Sequence, residues 1–257
     1  MASIDDVRRE VATATRLLHE LGLASGIRAS VGHVSMRVPG NPNHFVVKGR
    51  GYRLDALAKI QPQDLVECDL DGELIDGPAN IVPCFEVKIH SCILRARPDV
   101  SSVVHVHPEF SVLLTVLGKR LRPMSPEASQ MVLNPIPVYP HQKIVTTEEE
   151  GSELARTLGQ SPAAMLFGHG TVTVGVSPEE SVSRILQLEY QAKMNYYAYT
   201  VAGMNHPYVP DELVKEARAG GGRSQFELPH FKRAFEKAGP PLHSGVWEYW
   251  KGLVNDD

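Results

Sequence analysis

Three short stretches of the chain carry side chains that can do chemistry. In His105-Val106-His107 two imidazoles stand two residues apart inside the β-branched run Ser102–His107. Alternate residues of a strand point to one face, so both rings can converge on one point. Divalent transition metals take imidazole nitrogen at about 2.0–2.1 Å, and two such ligands on a strand make half of a tetrahedral site. Taken alone, the pair fits two histidines on a strand's polar face equally well. Gly168-His169-Gly170 sets a third imidazole between glycines, where backbone freedom suits close approach to a ligand, although by itself it reads first as a turn histidine. Glu86 lies near the predicted start of a helix that feeds into the His-Val-His strand. A carboxylate there can move protons, or simply answer the first-turn amides and the helix dipole.

The elements that must position these groups follow from hydrophobic spacing. Residues 5–22 set Val7, Val11, Ala14, Leu17, Leu18 and Leu21 at helical intervals, with Gly22 as a stop. The strand-like Ala29–Val38, the turn Pro39–Asn43 and a second strand His44–Lys48 predict a hairpin. Leu65–Asp69 reads as a strand that turns at Asp71-Gly72 and returns through Glu73–Ile75. Phe85–Arg95 is predicted helical, with Phe85, Ile89, Cys92 and Ile93 on one side, and Pro98 ends it. Phe110–Leu117 is again helical, Met165–Val176 is a strand pair broken by Gly168 and Gly170, and Pro178–Val201 is a long helix capped by Ser177. Strands and helices mix without regular βαβ alternation, which points to a layered α/β (α+β) fold with a sheet flanked by helices.

Residues 1–205 read as one unit. From His206 the chain becomes rich in Gly and Pro, with the run Gly220–Gly222 expected to be flexible and aromatics in Phe226–Phe235 and Trp247–Trp250. Residues 206–257 are therefore expected to form a peripheral extension that wraps the domain or a neighbouring subunit. The 257 residues suffice for a sizeable core, and 26 Lys plus Arg against 30 Asp plus Glu argue against a dedicated nucleic-acid binder. No apolar run approaches the roughly 18–20 residues of a membrane span, and the first residues lack a signal peptide's apolar stretch. Cys68, Cys84 and Cys92, without C-x-x-C spacing, are expected as reduced thiols of a cytoplasmic protein.

Taken together, Glu86, His105-x-His107 and the Gly-His169-Gly turn resemble the class II aldolase/adducin family. GHVSMR (Gly32–Arg37) resembles that family's early G-N-x-S strand, and Ala96–His107 resembles its R-P-D-x-x-A-V-V-H-x-H stretch. SPEES (Ser177–Ser181) falls where the family opens its long helix. The resemblance covers roughly residues 5–205. It implies His105, His107 and His169 as ligands of one divalent transition metal per subunit, whether manganese, zinc, iron or cobalt, with Glu86 as general acid/base. It also implies a central, mostly antiparallel sheet between helices and a homotetramer with sites at subunit contacts.

The sequence departs from the sugar-phosphate members of that family. They hold phosphate through the Asn of G-N-x-S, a Thr-Gly turn and a Ser-Ser pair before the glutamate. Here those places resemble His33, Arg50-Gly51 and Cys84-Phe85. Arg50 can grip a planar carboxylate with two prongs, and Phe85 can wall a flat ring, although a loop charge and a core ring are the simpler readings of each. Arg50, Gly51, Phe85 and Ser35 are the expected substrate contacts, and His33 is expected to share the acid/base role. The substrate is accordingly expected to be a small aromatic hydroxy-carboxylate, as for the family's branch that decarboxylates dihydroxyphthalate or hydroxy-methylpyridinedicarboxylate. A protonated Glu86 would deliver a proton to the ring carbon bearing the carboxylate, a role that proximity to a cation opposes and burial favours.

The rival readings are a retro-aldolase acting on a sugar or hydroxy-acid, and a non-catalytic module like the adducin head. His90, one turn after Glu86, can support it or a ligand histidine. His141 can reach a neighbouring site, and Tyr196, Tyr197 and Tyr199 read as packing or an oligomer contact.

Overall fold

The protein, seen in a computed structural model, is described at residues 3–203, 205–220, 227–239 and 245–254. Helix α1 (Ile4–Glu20) opens on a reciprocal cap, in which Ser3 Oγ accepts from the Asp6 N–H and Asp6 Oδ2 accepts from the Ser3 N–H. Strands β1 (His33–Val38), β2 (Asn41–Arg50), β3 (Leu65–Asp69), β4 (Leu74–Asp76) and β5 (Val82–Pro83) follow. Next come α2 (Val87–Ala96), β6 (Ser102–Val106), α3 (Glu109–Val116), β7 (Val138–Tyr139) and α4 (Glu148–Leu158). The chain continues through β8 (Ala163–Leu166), β9 (Gly170–Gly175), α5 (Pro178–Ala202), α6 (Asp211–Gly220), α7 (Pro229–Ala238) and α8 (Gly245–Val254). The strand order is β4-β3-β2-β1-β6-β9-β8-β7, with β5 paired to β2. Every pairing is antiparallel except that of β7 with β8, as the layered, mostly antiparallel expectation requires.

Strand alternation divides the core in two. Phe45, Val47, Val103, Val172 and Val174 cluster with Ile89 and Ile93 of α2 and Leu154 of α4. Val34, Val46, Val104 and Val106 cluster instead with Leu17 and Leu18 of α1 and Ile185 of α5. Each fully buried Val or Leu contributes roughly 1.5–3 kcal/mol, so these two clusters outweigh the surface ion pairs in holding the layers. The same alternation puts His33 and Ser35 of β1 and His105 of β6 on the α2 face with Val103. His33 and His105 are direct partners in the antiparallel register.

Several boundaries differ from expectation for local reasons. Gly26–Arg28 forms a single 3₁₀ turn, so β1 starts at His33 rather than Ala29. Val38 pairs with Asn41, which leaves Pro39-Gly40 as the turn, with Gly40 at φ +85°, and lets β2 begin inside the predicted turn. Helix α2 starts at Val87, leaving Phe85 outside it. Helix α4 was not among the expected elements, although Thr147 and Glu150 form a capping box of the T-x-x-E type. In the tail, Trp247 of α8 is only 5% exposed and packs into the α1 cluster. Gly221, Gly222 and Phe226 lie outside the described residues. Among the described residues, no helix is long and apolar enough to cross a membrane.

Candidate metal centre

His105 is carried by β6, and His107 follows just past its end, where Arg28 Nη1 donates to the His107 carbonyl at 2.8 Å. His169 sits in the turn between β8 and β9. That turn is tied down by the Gly168 N–H donating to Thr115 Oγ1 at 2.9 Å and by Gln142 Nε2 donating to the Gly168 carbonyl at 3.1 Å. Gly168 has φ +60°, a conformation suited to glycine. Glu86 occupies the N-cap position of α2, yet its side chain makes no cap bond. The carboxylate turns inward instead, and its Oε1 accepts from the Val145 N–H at 3.3 Å.

These four side chains converge. His105 Nε2 lies 3.2 Å from His107 Nε2 and 3.4 Å from Glu86 Oε2, while His169 Nε2 lies 3.5 Å from Glu86 Oε1. One ligand atom from each of the four lies within 4.8 Å of those of the others. The three rings meet edge to face, with centroids 4.6–5.2 Å apart and interplanar angles of 74–81°. Burial pushes the His107 imidazole down to about 2 and lowers that of His169, which keeps their nitrogen lone pairs free at neutral pH. His105 Nδ1 is buried without a hydrogen-bond partner. Neutral, converging imidazole nitrogens beside a carboxylate are the donor set of a divalent transition-metal site, so the residues present fit such an ion.

Burial also acts on Glu86, pushing its carboxyl up, but the facing His105 and His33 imidazoles, at 3.4 and 3.7 Å, outweigh it. The carboxyl is held well below the usual carboxylate range. This direction favours the carboxylate form, so the expected role as a proton donor requires Glu86 first to take up a proton.

The remaining expected residues are placed as follows. His33 is 2% exposed, and its Nε2 lies 3.7 Å from Glu86 Oε2. Ser35 is fully buried with its Oγ 2.7 Å from His90 Nδ1, so it stands behind the site rather than at an open contact surface. Phe85 is 65% exposed and thus no core residue, and the Arg50 guanidinium lies 5.7 Å from its ring centroid. Arg50 is also bonded through Nη1 to Asp55, which holds the buried Lys48 Nζ at 2.6 Å. Gly51 has φ +115°, and a Cβ there would stand 2.4 Å from the Asn80 carbonyl oxygen, so the position packs one loop on another. His141 Nε2 faces Glu153 Oε1 at 3.6 Å. Tyr196 and Tyr197 pack on Phe110, while the Tyr199 hydroxyl donates to the Arg120 carbonyl. Sequence reasoning missed Val145, Arg28 and Thr115, which act through backbone contacts between distant parts of the chain that leave no spacing signature, and Asp55, which pairs locally with Arg50 and Lys48.

A model of the Class II Aldolase and Adducin N-terminal domain matches residues 9–196. The chain belongs to this family. It is 31% identical over 225 residues to a 3,4-dihydroxyphthalate decarboxylase from Arthrobacter keyseri, covering 84% of this chain and 87% of that one. Among solved structures, an aldolase II superfamily protein from Pseudomonas syringae superposes with a TM-score of 0.74 at 26% identity, over 93% of this chain and 95% of that one. An L-fuculose 1-phosphate aldolase from Glaciozyma antarctica shares the fold, with a TM-score of 0.73 at 22% identity over 99% and 94% of the two chains. The class II aldolase/adducin match spans every element that carries the four converging side chains.

Proposed function

We propose that this class II aldolase/adducin member is a metal-dependent lyase that removes CO2 from an ortho-hydroxy aromatic carboxylate. The observation that carries the reading is a buried Glu86 within 3.4–3.7 Å of the His105, His169 and His33 imidazoles, next in the chain to an exposed Phe85 ring that faces the Arg50 guanidinium. Identity to a 3,4-dihydroxyphthalate decarboxylase over most of both chains supports the substrate class. His105, His107 and His169 would hold one divalent ion, which when bound supplies Lewis acidity toward an adjacent hydroxyl and carboxylate.

The chain's own residues do the rest. Phe85 walls the face of a flat ring, and Arg50 reads a second carboxylate with the donors that Asp55 leaves free. Glu86 takes the proton of the ring hydroxyl and returns it to the ring carbon that bears the departing carboxylate. The carbon–carbon bond then breaks, its electron pair enters the ring, CO2 leaves and aromaticity is restored. His33 holds the carboxylate through both transfers. In this reading the protein is cytoplasmic and works as a homotetramer on a small-molecule substrate.

The test offers 3,4-dihydroxyphthalate and aldol donors side by side to metal-loaded protein. Release of CO2 from the aromatic acid is expected, and an aldehyde product alone would favour the retro-aldolase reading instead.

A further inference from the structure

The imidazoles of the candidate centre are not held alike. His105 stands inside the ladder, opposite His33 of β1 and Val172 of β9. His107 is the first residue after β6, beyond the last ladder pair, Val106 with Thr171. Pro108 follows as the N-cap of α3, and its side chain makes no bond to the first N–H groups of that helix. Two contacts from distant parts of the chain supply what is missing. Arg28 Nη1 donates to the His107 carbonyl at 2.8 Å. Glu189, from the middle of α5, takes hold of the first turn of α3. Its Oε1 accepts from the Phe110 N–H at 2.8 Å, and its Oε2 lies 2.9 Å from the Ser111 N and 2.6 Å from the Ser111 hydroxyl.

Guanidinium and backbone N–H groups only donate, so these bonds run one way whatever the charge of Glu189. Both anchors are themselves fixed. The turn Gly26–Arg28 is closed by the Ala29 N–H on the Gly26 carbonyl, and the Arg28 carbonyl accepts from the Val31 N–H at 2.9 Å. On α5, Glu189 follows the fully buried Leu188, while Tyr196 and Tyr197 pack on the Phe110 ring. The backbone from His107 to Ser111 is therefore gripped at both ends, and Pro108, at φ −69°, stiffens the span between. We infer that Arg28 and Glu189 form a clamp that positions His107 as a metal ligand, doing for it what the ladder does for His105. Both are positioning residues, since each acts through the main chain beside His107. The clamp rests on the reading of His107 as a ligand, proposed above, and is independent of the reaction assigned to the site.

The experiment titrates metal-free protein with cobalt(II), reading affinity by chelator competition and ligand geometry by the visible absorption of the bound ion. Arg28→Met and Glu189→Gln are each expected to weaken cobalt binding about 10- to 100-fold, as loss of a partner that orients a ligand does. Their spectra are expected to move toward that of His107→Ala, which keeps His105, His169 and Glu86. A mere loss of fold stability would not move them. On the His107→Ala background neither substitution is expected to weaken binding further, because both act through the ring that is gone. Urea unfolding of the metal-free proteins checks that each variant is folded, and either variant alone decides the test. A folded variant that binds cobalt as tightly as the parent contradicts the clamp, and so does a second, equal loss on the His107→Ala background. Parent protein that takes up no cobalt overturns the ligand reading and the clamp together. Cobalt binding without release of CO2 removes only the reaction assignment and leaves the clamp to be decided by the variants.

Discussion

Gly170 lies against the ring of His105 so closely that a Cβ there would stand 2.8 Å from His105 Cε1, with His107 Cδ2 and the Val106 carbonyl also at 2.8 Å. The glycine that follows His169 is thus the floor on which two other imidazoles rest. Gly170→Ala is expected to displace both rings, cost about 1–3 kcal/mol of stability and lower metal content per chain. Denaturant unfolding and elemental analysis of the purified variant check this, and a stable variant with full metal content would refute it.

Arg50 is expected to matter for substrate hold more than for turnover. Arg50→Ala should raise KM for an aromatic dicarboxylate by about tenfold or more, the worth of a charged hydrogen bond, with kcat changed far less. Steady-state kinetics distinguish this from a fall in kcat alone, which would place Arg50 elsewhere.

Asp55 has a different task. It neutralises Lys48, whose ammonium is fully buried and which burial pushes down, with Asp55 opposing. Asp55→Asn is expected to cost about 3 kcal/mol, more than Arg50→Ala, because it strands a buried charge. Equal midpoints for the two variants in urea would contradict that ordering.

The cap of α4 predicts a pH dependence. Glu150 is brought down to about 2, first by the Lys143 ammonium and then by the Thr146 and Thr147 N–H groups. A carboxyl lowered on folding stabilises the native state above its unfolded value near 4.5, and that contribution fades as pH falls toward 2. Glu150→Gln should therefore unfold earlier than the parent at pH 7, with the gap closing between about pH 4.5 and 2. A gap independent of pH would show that the carboxylate charge contributes nothing.

Much of this site was legible in the sequence because period-two alternation makes a His-x-His pair share a face whatever the fold. The sheet and its flanking helices were legible for the same reason, since β-branched runs and helical stripes are local signals. The approach of His169 and Glu86 was accessible only through family resemblance, because nothing near either residue records its distance from β6. The Ser35–His90 bond was less accessible still, joining a strand and a helix 55 residues apart. The charge of Glu86 depended on a competition between burial and its neighbours that no spacing rule decides. Helix α4 left a readable signal that went unused, the Thr147–Glu150 capping box.

The most direct measurement is anomalous diffraction at the zinc edge from crystals of zinc-loaded protein. One strong peak per chain is expected, about 2.0–2.1 Å from a ring nitrogen of each of His105, His107 and His169, with a Glu86 carboxylate beside it. A map with no peak among these rings, or with the ion held elsewhere, would contradict it.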